Sequence, residues 1–313
     1  MVDLPSYGPA GRIRLGSFLR SRPLLLNYEG DEKLIDFQVK CALTSSDIPF
    51  EKLRADKQDL LFVDNNNEAI PYWIEKADST EIIVWLKFSE VIPGKEAFWL
   101  YYGNGNFLGA SDGDTVFDFF DDFEDYTEKW QEGGDSPTVS SETVDGRSVV
   151  KITNGGTNCG GLETKQNINV ENRVIERLIK GWTDTGNDDV DECICIDAAW
   201  ETYAWCSHNL MHGLFDLEGG AESHGLEIGG NGWKNLGTEQ LSATAWKRVI
   251  TIIETGEITG ICGDEEISET GTPSTYEGKL MLSVDNNQNN AGVYYDWIFV
   301  RKYTEPEPSV SVG

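Results

Sequence analysis

The sequence predicts an all-β protein built from two antiparallel domains. Three observations carry this reading: short runs in which apolar and polar residues alternate, clusters of Asn, Asp, Gly and Pro between those runs, and no long stretch with a helical period. At 313 residues the chain also exceeds what one hydrophobic core usually organises, so two cores are expected.

Within residues 24–102 the elements follow in order. Phe37, Val39, Cys41 and Leu43 share one face of a strand whose other face shows Asp36, Gln38 and Lys40, a half-exposed pattern. The cluster Asp64-Asn65-Asn66-Asn67-Glu68 has the chemistry of a hairpin turn between Leu61-Phe62-Val63 and Ala69-Ile70-Pro71-Tyr72-Trp73. Pro71 has no N–H to give to a ladder, which limits that second run to an edge or to its first residues. By contrast, residues 81–88 are apolar on both faces and belong at the centre of a sheet.

A Gly- and Asp-rich joint over residues 103–114 leads into the second domain. Strands are expected there at 148–153, 173–182, 192–198, 225–228, 246–253, 280–284 and 294–303. In the last run, period 2 puts Tyr295, Trp297, Phe299, Arg301 and Tyr303 on one face, and Tyr294, Asp296, Ile298, Val300 and Lys302 on the other. Asp296 is therefore headed for burial, where a carboxylate must be hydrogen-bonded, paired or bound to a cation. The stiff Glu305-Pro306-Glu307-Pro308 follows, and residues 309–313 read as a frayed tail or the start of a contact with a neighbour. The boundaries are an arm at 1–21, domains at 22–112 and 113–304, and a tail at 305–313.

Two resemblances rest on these residues. The succession Phe37-Gln38-Val39, Asp59-Leu60-Leu61-Phe62-Val63-Asp64, Ile70-Pro71-Tyr72-Trp73-Ile74-Glu75, Ile83-Val84-Trp85-Leu86-Lys87 and Leu100-Tyr101-Tyr102-Gly103-Asn104 resembles the domain of unknown function numbered 2341, over residues 22–120. That implies a β-sandwich from microbial, especially archaeal, surface or secreted proteins and viral ones, often ahead of a concanavalin A-like module, with no reaction attached. Opening on Asp121-Asp122-Phe123-Glu124-Asp125 and closing on Tyr294-Tyr295-Asp296-Trp297-Ile298-Phe299-Val300-Arg301, residues 116–304 resemble the concanavalin A-like lectin and glucanase jelly roll. That resemblance implies terminal strands lying side by side and a structural calcium ion held by Asp296 and Asp122.

Fifty-four acidic residues against 25 basic ones give a formal charge of −29, which repels nucleic acid and anionic membranes and suits divalent cations. No apolar run reaches the roughly 18 to 20 residues of a membrane helix. Residues 1–22 lack the apolar core of a secretory signal, so either a leader has been removed or the protein reaches its site without one, as a virion component would. Six cysteines allow disulfides in an oxidising setting. Cys193 and Cys195 point to one face of a strand, cannot easily bond each other, and either pair elsewhere or lie buried as thiols. A zinc site at that pair lacks a second close pair or a nearby His.

The acidic cluster Asn187-Asp188-Asp189-Val190-Asp191-Glu192 departs from the spacing of a calcium-binding loop and reads as solvated. Glycoside hydrolysis needs two converging carboxyls, and the nearest approach, Asp191 to Asp197, does not converge; Glu192 is its least improbable acid. His208 and His212, in a short Gly-flanked segment, read as surface loop, and the Gly pairs as turns. Trp205, Trp233 and Asn231 have the planar aromatic and amide chemistry that a sugar's faces and hydroxyls require. The expected role is thus a non-enzymatic surface, virion or filament protein for structure and adhesion, glycan-binding through its second domain. Its partners would be its own copies, neighbouring surface or virion proteins, and glycans. The alternative is a glycoside hydrolase acting on an extracellular polysaccharide.

Overall fold

Alternation of apolar and polar side chains becomes extended backbone throughout the computed structural model, which divides into two antiparallel β units: residues 1–118 with 302–313, and residues 119–301. The structure describes residues 2–3, 12–13, 15–155, 159–183, 190–196, 209–215, 224–229, 232–285 and 291–313.

The first unit opens with the short pair β1 (Val2–Asp3) and β2 (Arg12–Ile13). Then come β3 (Arg20–Tyr28), β4 (Leu34–Thr44), β5 (Leu60–Val63), β6 (Tyr72–Ala77), β7 (Glu81–Val91) and β8 (Gly94–Tyr102). One sheet has the order β4-β7-β6. Strand β7 is central there, as its two-sided apolar pattern predicts, and β6 begins directly after Pro71 at the edge. The turn at Asp64 forms as expected, its Oδ1 accepting from the N–H groups of Asn66 and Glu68 at 2.8 and 2.7 Å.

The second unit contains β9 (Phe119–Asp121), β10 (Trp130–Gly134), β11 (Pro137–Val144), β12 (Arg147–Asn154), β13 (Gly160–Asn169) and β14 (Arg173–Thr183). It continues with β15 (Asp191–Ile196), β16 (Leu210–Leu214), β17 (His224–Ile228), β18 (Lys234–Asn235) and β19 (Lys247–Glu254). Last come β20 (Glu257–Cys262), β21 (Glu265–Thr270), β22 (Glu277–Asp285) and β23 (Ala291–Lys302). Seven strands form one sheet, β10-β13-β22-β15-β16-β17-β18, and eight form the other, β11-β12-β23-β14-β19-β20-β21 with β9 added alongside β23. Their facing sides meet in one core that includes Ile152, Ile175, Leu226, Val249 and Leu282. Strand β9 pairs with β23, Asp121 opposite Ile298, so the opening and closing segments do lie side by side.

The chain then returns to the first unit, where β24 (Ser309–Val312) pairs with β3 and completes the sheet β24-β3-β8-β5. Residues that read as a frayed tail are an edge strand, with Val310 and Val312 packed against the first core. Gln38, on the face expected to be exposed, is buried; its amide donates to the Val116 carbonyl at 2.9 Å and accepts from the Lys302 N–H at 3.1 Å. Deleting residues 309–313 removes this strand and its valines. The loss is expected to destabilise the first unit by about 2 kcal/mol, the scale of one buried valine, measured as faster amide exchange in β3 and unchanged exchange in β14.

Two expectations fail for physical reasons. The Gly160-Gly161 pair, read as a turn, opens β13 because β22 crosses so closely that a Cβ at Gly161 would lie 2.0 Å from the Leu282 carbonyl oxygen. In β23, Val293 and Tyr295 enter the core, but so do Ile298 and Val300. Strict alternation is therefore broken within Asp296-Trp297, as a strand irregularity does.

Candidate functional site

Polar residues are not excluded from the core of the second unit; they cross it in a connected row. Arg177 of β14 and Glu192 of β15 come from opposite sheets and meet in a two-pronged ion pair at 2.8 and 2.9 Å, both side chains fully buried. The hydroxyl of Tyr295 donates to Glu192 Oε1 at 3.2 Å. Arg177 also donates to the Thr251 hydroxyl at 3.4 Å and to the His212 carbonyl at 3.2 Å.

From Thr251 the row continues to the histidines. His212 Nδ1 lies 2.6 Å from Thr251 Oγ1, its Nε2 lies 2.8 Å from His224 Nε2, and His224 Nδ1 lies 2.8 Å from Glu265 Oε2. These partners assign the tautomers. With Glu265 ionised, His224 donates from Nδ1 and accepts at Nε2, His212 donates from Nε2, and the Thr251 hydroxyl donates to His212 Nδ1. Every donor then has an acceptor while both rings are neutral, and burial correspondingly pushes both imidazoles below their usual range. Glu265 is held down at about 2: burial opposes this, but the N–H groups of Glu239 and Thr238 and the ring of His224 outweigh it. Gly260 makes room for the row, since a Cβ there would stand 2.5 Å from His212 Nε2.

This corrects the sequence reading of the histidines. His212 is 0% exposed in a strand, not in a surface loop, and His224 is equally buried in the neighbouring strand. The missed signal was alternation: Leu210, His212 and Leu214 share one face, as do His224, Leu226 and Ile228. Glu192, the acid closest to a glycosidase pattern, is likewise 0% exposed and committed to Arg177 and Tyr295.

At the meeting of the terminal strands two carboxylates are buried, Asp121 and Asp296. Asp121 comes first in the chain. It accepts from the Phe123 N–H at 2.7 Å and the Trp130 indole at 2.8 Å, and burial still raises it to about 6. Asp296 is raised by burial too, opposed by an ion pair with Arg147, and Asp122 lies near enough to add to the rise. The residues assigned to calcium thus fit it only in part. Asp122 and Asp296 are neighbours, but Arg147 already supplies a positive charge. Among the described residues no group of three or more His, Cys, Asp or Glu side chains is placed to hold a metal ion.

The other face of the seven-stranded sheet carries Cys193, Cys195, Met211, Phe215 and Met281 in a second apolar cluster, with Trp233 packed against it. Trp233 is half-buried and stacks on Phe215 at 4.0 Å. Its ring occupies the space that Gly225 leaves, where a Cβ would meet it at 2.3 Å. The proposed ligand residues Trp205 and Asn231 lie outside the described residues, as do His208, Cys206 and the first half of the acidic cluster, residues 187–189. Cys159 is disulfide-bonded, whereas Cys41, Cys193, Cys195 and Cys262 are buried thiols.

The second unit is, by its own sheets, an antiparallel jelly-roll sandwich, and solved structures of that architecture resemble the chain. A Bacillus licheniformis β-glucanase is 15% identical, with a TM-score of 0.41 over 59% of this chain and 98% of its own. The carbohydrate-binding module CBM66 from Bacillus subtilis is 11% identical, with a TM-score of 0.40 over 56% and 96%. A legume lectin-like domain from Entamoeba histolytica is 7% identical, with a TM-score of 0.43 over 57% and 92%. Residues 56–133 match the family described as a domain of unknown function, DUF2341. No curated protein matches the chain.

Proposed function

We propose that this is a non-enzymatic structural and adhesion protein of a cell surface, filament or virion that recognises glycans through its second unit. The observation supporting the reading is Trp233, a partly exposed indole seated against Phe215 and over Gly225 on the sheet face turned away from the core. A ring braced on one side loses little freedom on binding, and its apolar face suits the C–H face of a sugar. Glu227 stands on the same face, its Oε1 accepting from the Gly232 N–H at 3.3 Å, and supplies an acceptor for hydroxyls. The hydrolase alternative is disfavoured by Glu192, whose carboxylate points into the core toward Arg177.

The test is a glycan array of microbial surface polysaccharides. Wild-type protein is expected to give signal that falls at least tenfold in Trp233→Ala, with the circular dichroism spectrum unchanged. A blank array, or equal signal from the variant, would remove this reading.

A further inference from the structure

Two of the chain's three methionines and two of its six cysteines meet at one place. Cys195 of β15 stands opposite Met211 of β16 on one side and Met281 of β22 on the other. Cys193, two residues earlier and so on the same face, has its Sγ 3.5 Å from that of Cys195. Directly opposed strand residues have Cβ atoms about 4.5–5.5 Å apart, so both methionines flank Cys195, whose sulfur in turn touches that of Cys193. Sulfur as ordinary filling is the alternative to weigh. Yet four of the five buried members of this cluster carry sulfur, whereas the much larger core between the sheets contains one such residue, Cys262.

We propose that Cys193, Cys195, Met211 and Met281 form a binding site for a soft monovalent metal ion, copper(I). Thiolate and thioether sulfurs together select copper(I), while zinc takes thiolate, imidazole or carboxylate and gains little from methionine. With metal–sulfur bonds of about 2.3 Å, two ligands of a tetrahedral centre stand roughly 3.8 Å apart. The cysteine sulfurs therefore need to separate by only a few tenths of an ångström. Binding is a ligand exchange without electron transfer: copper stays in the +1 state, and each thiol gives its proton to solvent, two per ion. Because each thiol must lose its proton to bind the ion, metal uptake strengthens as pH rises.

The experiment is anaerobic titration of the full chain with copper(I), supplied as its acetonitrile complex, against the chromogenic chelator bicinchoninate. One equivalent is expected to be retained, with only sulfur in the first shell by X-ray absorption. Met211→Leu/Met281→Leu, which preserves volume, is expected to weaken copper(I) at least tenfold and leave zinc affinity unchanged. Cys193→Ser/Cys195→Ser is expected to lose the retained equivalent. The proposal is overturned if the chelator removes all copper from wild-type protein, if the serine variant keeps the equivalent, or if the well-folded leucine variant binds copper(I) as tightly as wild type.

Discussion

Replacing Arg177 with methionine is expected to cost the second unit about 3–5 kcal/mol, the scale for breaking a buried ion pair from one side. The guanidinium is fully buried and gives four hydrogen bonds: two to Glu192, one to the Thr251 hydroxyl and one to the His212 carbonyl. Its loss leaves the Glu192 carboxylate buried and held by the Tyr295 hydroxyl at 3.2 Å, with no counter-charge from Arg177. Removing both charges in Arg177→Met/Glu192→Leu should recover most of the loss, because an apolar pair of similar volume fills the space without stranding a charge. Hydrogen exchange in β14 and β15 is the appropriate readout, since it separates this unit from the first. A single variant within about 1 kcal/mol of wild type, on the scale of a surface pair, would show that water reaches the pair.

The second large effect is acid sensitivity beginning near pH 6.5, where an ordinary imidazole titrates. His212 and His224 are neutral in the folded chain, their affinity for protons lowered by burial. The unfolded chain binds those protons more tightly, so stability is full above the unfolded value and declines as pH falls below it. Each ring contributes a slope of up to about 1.4 kcal/mol per pH unit. Protonating His224 also sets two N–H groups against each other between the Nε2 atoms, and protonating His212 sets its Nδ1–H against the hydroxyl hydrogen that Thr251 directs at it. The facing charges do not cancel this: Arg177 opposes protonation of both rings, while Glu265 and Glu239 favour it at His224.

Asp121 acts in the opposite sense. Its folded value of about 6 exceeds its ordinary one, so its contribution is greatest at low pH and is lost as pH rises through 6. The carboxylate of Glu265, held at about 2, adds a further loss as pH falls below the ordinary range. Wild-type stability should therefore fall between pH 6.5 and 5 less steeply than in Asp121→Asn, and His212→Gln should flatten the curve. Parallel profiles for wild type and His212→Gln, by urea denaturation at fixed ionic strength, would remove the histidines as the cause.

Much of the architecture was legible because strand period and turn chemistry are local. The strand of Phe37, Val39, Cys41 and Leu43, the hairpin turn at Asp64 and the central run at residues 81–88 follow from them, whereas the pairing of first and last strands of the second unit was an expectation of the jelly-roll resemblance. What escaped were features decided by partners distant in sequence. Leu210–Leu214 is only five residues long and contains a glycine, and it becomes a strand because β15 and β17 flank it. Nothing local announces that Glu192 will face Arg177, or that His212 will face His224, since those pairs are made by layers closing. Asp296 was read correctly as headed for burial, but Arg147, 149 residues away, could not be named as its counter-charge.

The edge strand β24 has a consequence for how the protein is made. A ribosome completes all of residues 119–301 before it reaches Ser309, so the earlier half of the first sandwich waits with the flank of β3 open while the inserted unit is synthesised. Unpaired strand flanks invite foreign strands, and domains tend to fold as they emerge. During translation the vulnerable species is accordingly the part made before the inserted unit, and its protection comes from a strand made after it.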